Sequence, residues 1–465
     1  MTPARRLLTA VATLASGNVA TSGMLFARNL AVAALLPIED YGITAGFALV
    51  ITAVESSTAI GLQQHVVQSA DGDDPRTVKV LQTLALARGV IAAILMLLLA
   101  EPLARLMGAP EAAWGYAVLA LCPLINGLEH LDVVRQTRAM RYRAQMLVRA
   151  VPAAATLAAI YPLALWLGDW RAMVAALVLQ ALIGVAMSLA LAERRWALAF
   201  DGARTRVALA FGWPILIDMM MSLAVFQGDR MLVASAFDLA TLGAFAMAVT
   251  LTMTPALMLN SMTFPVALRL LSACDATTAA GRAQLADRWS ATARALAALA
   301  ALYAVGCAIV VPPAMLWVTS TEFHAAVALV PLLAAAQALR IVRGTAIVAA
   351  LARGVSSIGA WSAAPRVVAL ALAWAALEGG AGLEAVLLLA IAGEGAGLLV
   401  AAALAARRCG YALRPALPAA AAALSAVAAL VLDQTALAVV LALAAALLAW
   451  PRGAFPNPVP EGVRP

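Results

Sequence analysis

Charged side chains lie where the chain is otherwise apolar. Arg28, Glu55, Arg88, Glu129, Asp218, Asp229, Arg230, Arg340, Arg343, Arg366 and Glu394 all fall inside runs of Ala, Leu, Val and Ile long enough to cross a bilayer. An ionisable group at mid-membrane costs about 2.5–3.5 kcal/mol on insertion scales, so each is a functional candidate. A guanidinium binds phosphate oxygens in a bidentate fork and keeps its proton when partly desolvated. Arg28, Arg88, Arg230, Arg340, Arg343 and Arg366 are therefore candidates for a cationic cavity that holds an anion. Gln337, Arg340, Arg343 and Gly344 share one helix face, which is expected to turn toward a wet cavity. Arg149 and Arg294 lie nearer helix ends and are read as snorkelling outward. Pairing, for instance of Arg28 or Arg88 with Glu55, is the competing structural role.

The carboxylates have a different chemistry available. Glu55, Asp218, Asp229 and Glu394 are candidates for a coupling site for H+ or Na+, since a buried carboxylate can titrate near neutrality. Asp218, Ser222, Val225 and Asp229 follow one helix face. Serving as counter-ions to the arginines is the competing role. The cysteines Cys122, Cys274, Cys307 and Cys409 and the histidines His65, His130 and His324 are scattered, so neither a disulfide framework nor a metal site is expected, and no cofactor.

The elements that carry these groups follow from composition. The chain has 465 residues, of which 64% are hydrophobic and 12% charged, with a mean hydropathy of +0.94. Soluble domains carry about 25% charged residues, so too few charges remain here to coat a water-facing surface. The class is an all-α polytopic membrane protein of about 14 helices. Spans are expected at 9–33, 43–68, 78–100, 113–130, 147–168, 172–191, 209–236, 242–265, 292–318, 326–348, 360–377, 385–406, 417–432 and 436–450. Arg5 and Arg6 precede an uncleaved first helix.

Loop charge gives orientation. Arg76 and Lys79, Arg135 to Arg143, Arg194 to Arg206, Arg269 to Arg288, and Arg407, Arg408 and Arg414 cluster in alternate loops. The opposite loops hold Arg105 and Arg171 among acids such as Glu39, Asp40, Glu101, Glu111, Asp238 and Glu322. By the positive-inside rule both termini are cytoplasmic. The net charge of +7 thus reflects loop arginines, and no nucleic-acid partner is expected. Short outer loops without GxSxG, Walker or paired-carboxylate patterns argue against an enzyme.

A motif also repeats. Arg28-x-Leu30, an acidic stretch, Gly42 and Ala45 recur as Arg230-x-Leu232, Asp238, Gly243 and Ala246, about one six-helix length later. This suggests lobes at 1–200 and 201–410, followed by a hairpin and tail at 411–465. Proline inside spans and the Gly393-x-Gly395-x-Gly397 run suggest kinks and close helix packing.

The stretch ARNLAVAALLPIEDYGITAG (27–46) resembles the AR-x-L-x-P-x-x-YG signature of bacterial polysaccharide flippases of the Wzx type. GLQQHVVQ (61–68), EPLARLMGAP (101–110), FGWPILI…FQGDRMLVASAFDLATLGAFAMA (211–248) and FPVALRL (264–270) extend the similarity over about residues 5–350. The resemblance implies two six-helix lobes around a cavity in a MATE-like fold, open in turn to each membrane face. It also implies transport of an undecaprenyl-pyrophosphate-linked oligosaccharide across the bacterial inner membrane for O-antigen or exopolysaccharide synthesis. Membrane lipids and the polymerase and chain-length proteins of the pathway are the partners implied. The alternatives are a MATE-like cation-coupled multidrug exporter, then a lipid II flippase or a non-transporting scaffold. The first span lacks the carboxylate of proton-coupled MATE exporters. The second and eighth lack the arginines of lipid II flippases.

Overall fold

In a computed structural model of the chain, the structure describes residues 3–69, 71–139, 141–272, 274, 278–319, 321–355, 357–411 and 416–449. Arg414 and the tail from residue 450 lie outside them. Every regular element among the described residues is helical. In chain order these are α1 (Pro3–Leu35), α2 (Ile38–Ser57), α3 (Leu62–Gln68), α4 (Pro75–Leu106), α5 (Ala113–Leu119), α6 (Leu121–Asn126), α7 (Asp132–Arg138), α8 (Arg143–Leu167) and α9 (Arg171–Leu191). They continue as α10 (Gly202–Ala236), α11 (Leu239–Ser272), α12 (Ala279–Val318), α13 (Val330–Ala352), α14 (Ser357–Glu378), α15 (Leu383–Cys409), α16 (Leu417–Val431) and α17 (Thr435–Ala449). Nine helices among the described residues are long and apolar enough to cross a membrane, or ten if the bent pair α2 and α3 is one span. The all-helical membrane fold expected from composition is the one observed.

Two expected spans are broken, each for a local reason. The span at 43–68 bends by 50° between α2 and α3. Ser57 and Thr58 hydroxyls donate back to the carbonyls of Ala53 and Val54 at 2.6 and 2.9 Å, competing with the helix ladder. Gly61 then takes a left-handed turn at φ +60°, which favours a residue without a Cβ. The span at 113–130 breaks into α5 and α6 at Ala120. Pro123 has no N–H for the Leu119 carbonyl, so the ladder lapses there. Irregular backbone at membrane depth is tolerated only where protein buries it or a cavity solvates it.

The chain groups into two compact units. Unit 1 comprises Met1–Ser261, Pro313–Leu329 and Leu370–Leu387; unit 2 comprises Met262–Pro312, Val330–Ala369 and Leu388–Pro465. These units are defined by packing. The lobes at 1–200, 201–410 and 411–465 are defined by the repeat and stand as a proposal about internal symmetry.

Inside unit 1 the repeat becomes a contact. A Cβ on Gly42 would fall on the Leu239 carbonyl, and one on Gly243 would lie 2.5 Å from the Ile38 carbonyl and 3.2 Å from Gly42 N. The two repeated glycines thus let α2 and α11 touch backbone to backbone. Close by, the Glu322 carboxylate accepts from Ile38 N at 3.2 Å, a negative charge at the N-terminus of α2. Phe47 packs edge-on against Tyr116 and Trp170 at 4.6 and 5.5 Å. In unit 2, Trp289, Ile358, Ala401 and Ala405 form a core with Tyr411, whose hydroxyl donates to the Ala349 carbonyl at 3.1 Å.

Candidate functional site

The break between α2 and α3 opens onto a cavity of about 610 Å³ in unit 1. Asn18, Thr21 and Ser22 of α1, Glu55 and Gln63 on either side of the break, Asn126 and Glu129 at the end of α6, Arg149 of α8 and Gln180 of α9 line it. Asn126 donates to the Glu55 carboxylate at 3.0 Å. Arg88 and Arg149 both lie within electrostatic range of Glu129, as does Glu55. The cavity lining is therefore of mixed charge.

This corrects two expectations. Arg88 has Glu129 as its carboxylate neighbour, while Glu55 takes the Asn126 amide. Arg149, expected only to snorkel, lines the cavity.

Arg28 and Arg230, equivalent in the repeat, also come together. Both are in electrostatic range of the buried Tyr41 hydroxyl, with Asp229 beside Arg230. Arg28 Nη1 donates to Gln180 Oε1 at 2.6 Å and Nη2 to Asn29 Oδ1 at 3.3 Å. The Nε of each arginine is buried with no hydrogen-bond acceptor among the described residues. Buried donors in that state ordinarily have a water or ligand oxygen to bind. The carboxylate face of α10 is not brought into one environment: Asp218 is exposed, Val225 buried and Asp229 half-buried.

Unit 2 holds a separate ion cluster. The Glu394 carboxylate of α15 is fully buried and meets three guanidiniums: Arg340 at 2.6 Å, Arg343 at 3.3 Å and Arg366 at 3.7 Å. Arg340 keeps 17% of its side chain accessible, against 7% for Arg343 and 2% for Arg366. One carboxylate is thus shared by three guanidiniums. The α13 stripe faces this packed cluster where a wet cavity was expected, because α15 supplies the counter-charge. Glycine allows that approach: a Cβ on Gly397 would lie 2.5 Å from the Ser362 carbonyl, and one on Gly393 would lie 2.6 Å from Ala369 Cβ. Glu394 is thereby placed as a counter-ion, where an added Na+ would meet three cations.

Sequence reasoning did not single out Gln180 or Asn126, and it met Tyr41 only as the tyrosine of the YG signature. None is charged, so burial cost gave no signal. The Arg28 to Gln180 contact spans 152 positions, and only the fold brings it about.

At the arginine-rich end of unit 1, the stretch between α9 and α10 is pinned by polar contacts. Glu193 N donates to Asp132 at 2.7 Å, and Gln136 donates to the Leu191 carbonyl at 3.0 Å. Thr83 exchanges two hydrogen bonds with Ala199, at 2.9 and 3.1 Å. Arg135 bridges Asp132, Asp73 and Glu193 at 2.6, 3.0 and 2.8 Å. Burial alone would push the Asp132 carboxyl up, but the Arg135 guanidinium and the Glu193 N–H overcome it and hold it low. Arg141, then Arg135, hold Glu193 low, and Arg204 draws Asp74, the N-cap of α4, down to about 2.

Depressed carboxylates stabilise above their unfolded value of about 4 and lose that contribution as pH falls through the folded value. Protection of the amides in 192–201, taken as exchange relative to the intrinsic rate at each pH, is therefore expected to hold at neutral pH and to fall as the pH drops from about 4 toward 2. Protection unchanged across that window would show that the ion network does not hold the segment.

Three comparisons bear on this geometry. The model of a family described as polysaccharide biosynthesis protein matches residues 31–328. Among curated proteins no sequence matches. Among solved structures, a multidrug resistance MATE family transporter of the MOP superfamily, in an inward-facing conformation, superposes with a TM-score of 0.68 at 16% identity, covering 84% of this chain and 94% of that one. Lipid II flippase MurJ, in an inward closed conformation, gives 0.67 at 14% identity, covering 95% and 97%. At these identities the likeness establishes the fold.

Proposed function

The chain belongs to the polysaccharide biosynthesis protein family, and from that premise we propose that it is a flippase for an undecaprenyl-pyrophosphate-linked oligosaccharide, working by alternating access. The observation that carries this reading is the lining of the unit 1 cavity. Amides from Asn18, Gln63, Asn126 and Gln180 and hydroxyls from Thr21, Ser22 and Ser261 offer neutral donors and acceptors suited to sugar hydroxyls. Among the described residues the lining carries no aromatic ring of the kind that would form a cation–π wall for an organic cation. That weighs against a MATE-like drug exporter, even though Glu55 and Glu129 are present.

The pyrophosphate is assigned to guanidiniums. Arg28 and Arg230 carry buried Nε–H groups suited to an oxygen acceptor. Within unit 2, Arg340 is the most accessible member of the Glu394 cluster and is kept as a separate anion-binding candidate. Arg88 and Arg149 offset the cavity carboxylates. Glu55, at the helix break and in the cavity, is the preferred site for a coupling H+ or Na+, ahead of Asp218, Asp229 and Glu394. The protein is placed in the bacterial inner membrane with both termini cytoplasmic, as its loop arginines indicate. It acts there with the polymerase and chain-length proteins of the pathway, as a transporter without catalytic residues.

The test uses variants that keep the cavity's size and change its chemistry. Gln180→Leu removes the acceptor of Arg28, and flipping in proteoliposomes is expected to fall about tenfold, the scale of a lost hydrogen bond to a charged group. Arg340→Gln, which leaves Arg343 and Arg366 to neutralise Glu394, is expected to behave likewise. Full flipping by either well-folded variant would remove that residue from the site. Glu55→Gln is expected to uncouple flipping from an imposed proton or sodium gradient.

A further inference from the structure

A second cavity lies on the arginine-rich end of unit 1, apart from the residues assigned to the oligosaccharide. Its volume is about 510 Å³, and Pro75, Val78, Lys79 and Gln82 of α4, His130, and residues 194–197 of the stretch between α9 and α10 enclose it. No carboxylate is among its lining residues in the described part of the chain. Arg194 is engaged by Asp73 through its carbonyl at 2.8 Å and its carboxylate at 3.3 Å. Lys79 and Arg195 are exposed and have no carboxylate partner among the described residues. Trp196 Nε1 is shielded from solvent with no acceptor among the described residues. The cavity thus presents positive charge from Lys79 and Arg195, and one of its lining residues, Trp196, carries a buried donor.

What lies beside it narrows the ligand. The stretch from 195 to 201 is non-helical, and Ala199 is fastened to Thr83 of α4. Leu198 is 42% exposed and Phe200 is 87% exposed, while Ala197 and Ala199 are partly covered. On α10 the lipid-type surface begins shortly afterwards, with exposed Val207, Leu209 and Trp213. A cationic pocket flanked by exposed Leu and Phe, at the foot of an apolar helix surface, matches the headgroup layer of a bilayer. Aromatic side chains and basic residues concentrate at that depth. A free phosphate would gain nothing from Leu198 and Phe200.

We propose that this cavity binds the phosphate headgroup of an anionic membrane lipid in the cytoplasmic leaflet, with Lys79 and Arg195 as its charge partners and Leu198 and Phe200 against the acyl chains. Such a lipid would brace the segment between α9 and α10 alongside the Asp132 and Arg135 network, which the lining residues Arg194 and His130 touch. The assignment rests on the orientation given above and is independent of what the protein transports.

The experiment is native mass spectrometry of the purified full-length protein, delipidated and then offered phosphatidylglycerol, phosphatidylcholine or inorganic pyrophosphate. Preferential retention of phosphatidylglycerol is expected. The Lys79→Ala/Arg195→Ala double variant is expected to lower it about tenfold or more, given the worth of each basic residue near an anionic surface. Arg407→Ala, a loop arginine in unit 2, is expected to retain it as the wild type does. Equal retention by the double variant, or equal retention of phosphatidylcholine, overturns the proposal. So does displacement of phosphatidylglycerol by equimolar pyrophosphate, which would mean that the cavity reads free phosphate groups. Flipping is not the readout, so failure here leaves the transport reading standing.

Discussion

Glu394→Gln is expected to cost the protein about 3–5 kcal/mol, the scale at which removing one partner strands a buried charge. The carboxylate is fully buried and lies within 4 Å of the guanidiniums of Arg340, Arg343 and Arg366. Glutamine keeps the shape and can still accept a hydrogen bond, but it removes the negative charge. Three guanidiniums then face one another across α13, α14 and α15. The measurement is thermal unfolding in detergent, read as a lowered midpoint and poor recovery of folded protein. A second substitution separates charge from packing. Arg366→Gln added to Glu394→Gln removes one of the three neighbouring cations and is expected to recover part of the loss, a coupling between neighbours in one network. A Glu394→Gln protein as stable as wild type would show that the cluster is solvated and that its charges do not depend on one another.

The second large effect is expected at the glycine crossing. Gly42→Val and Gly243→Val each place a branched side chain where the opposing backbone already stands. Overpacking of this kind costs about 1–3 kcal/mol, and more where backbone must shift to relieve it. Here the obstruction is carbonyl backbone of the partner helix: Leu239 for one glycine and Ile38 for the other. The crossing also sets the positions of Tyr41, Arg28 and Arg230 just beyond it. Gly42→Val is therefore expected to reduce flipping as well as stability, whereas Gly306→Val, which has open space around its Cβ position, is expected to leave the fold nearly unchanged. Comparable losses at Gly42 and Gly306 would mean that the effect comes from the bilayer or the backbone entropy of glycine, with no role for the crossing.

The sequence was legible wherever a signal repeats along one element. Hydropathy located the long helices, and the basic loops proposed an orientation. The start of α4 went unread: the span expected at 78–100 begins inside the helix, whose N-cap Asp74 accepts from Thr77 N at 3.1 Å just before Pro75. The Arg28 and Arg230 repeat was visible as spacing, and Gly393 and Gly397 as a packing motif. Partnership across the fold was not legible. The α13 stripe was plain at i, i+3 spacing, but Glu394 lies 54 positions from Arg340, so nothing local told a dry ion cluster from a wet cavity. The broken spans were underread for a related reason. Ser56, Ser57, Thr58 and Gly61 carry the signal for the break, yet their hydropathy is mild enough to pass within a continuous apolar window. The residues that the break delivers to the cavity, Glu55 and Gln63, therefore gained a context that composition alone could not supply.

The central claim is that the chain moves a lipid-pyrophosphate-linked sugar and not a small cation. Reconstitution of the purified protein into liposomes holding undecaprenyl-pyrophosphate-linked oligosaccharide on one leaflet tests it directly, with a membrane-impermeant glycosidase outside to report sugar that crosses. The expected result is protein-dependent exposure of the oligosaccharide, lost in Gln180→Leu, with no movement of an organic cation in the same vesicles. Transport of the cation without exposure of the sugar would contradict the account.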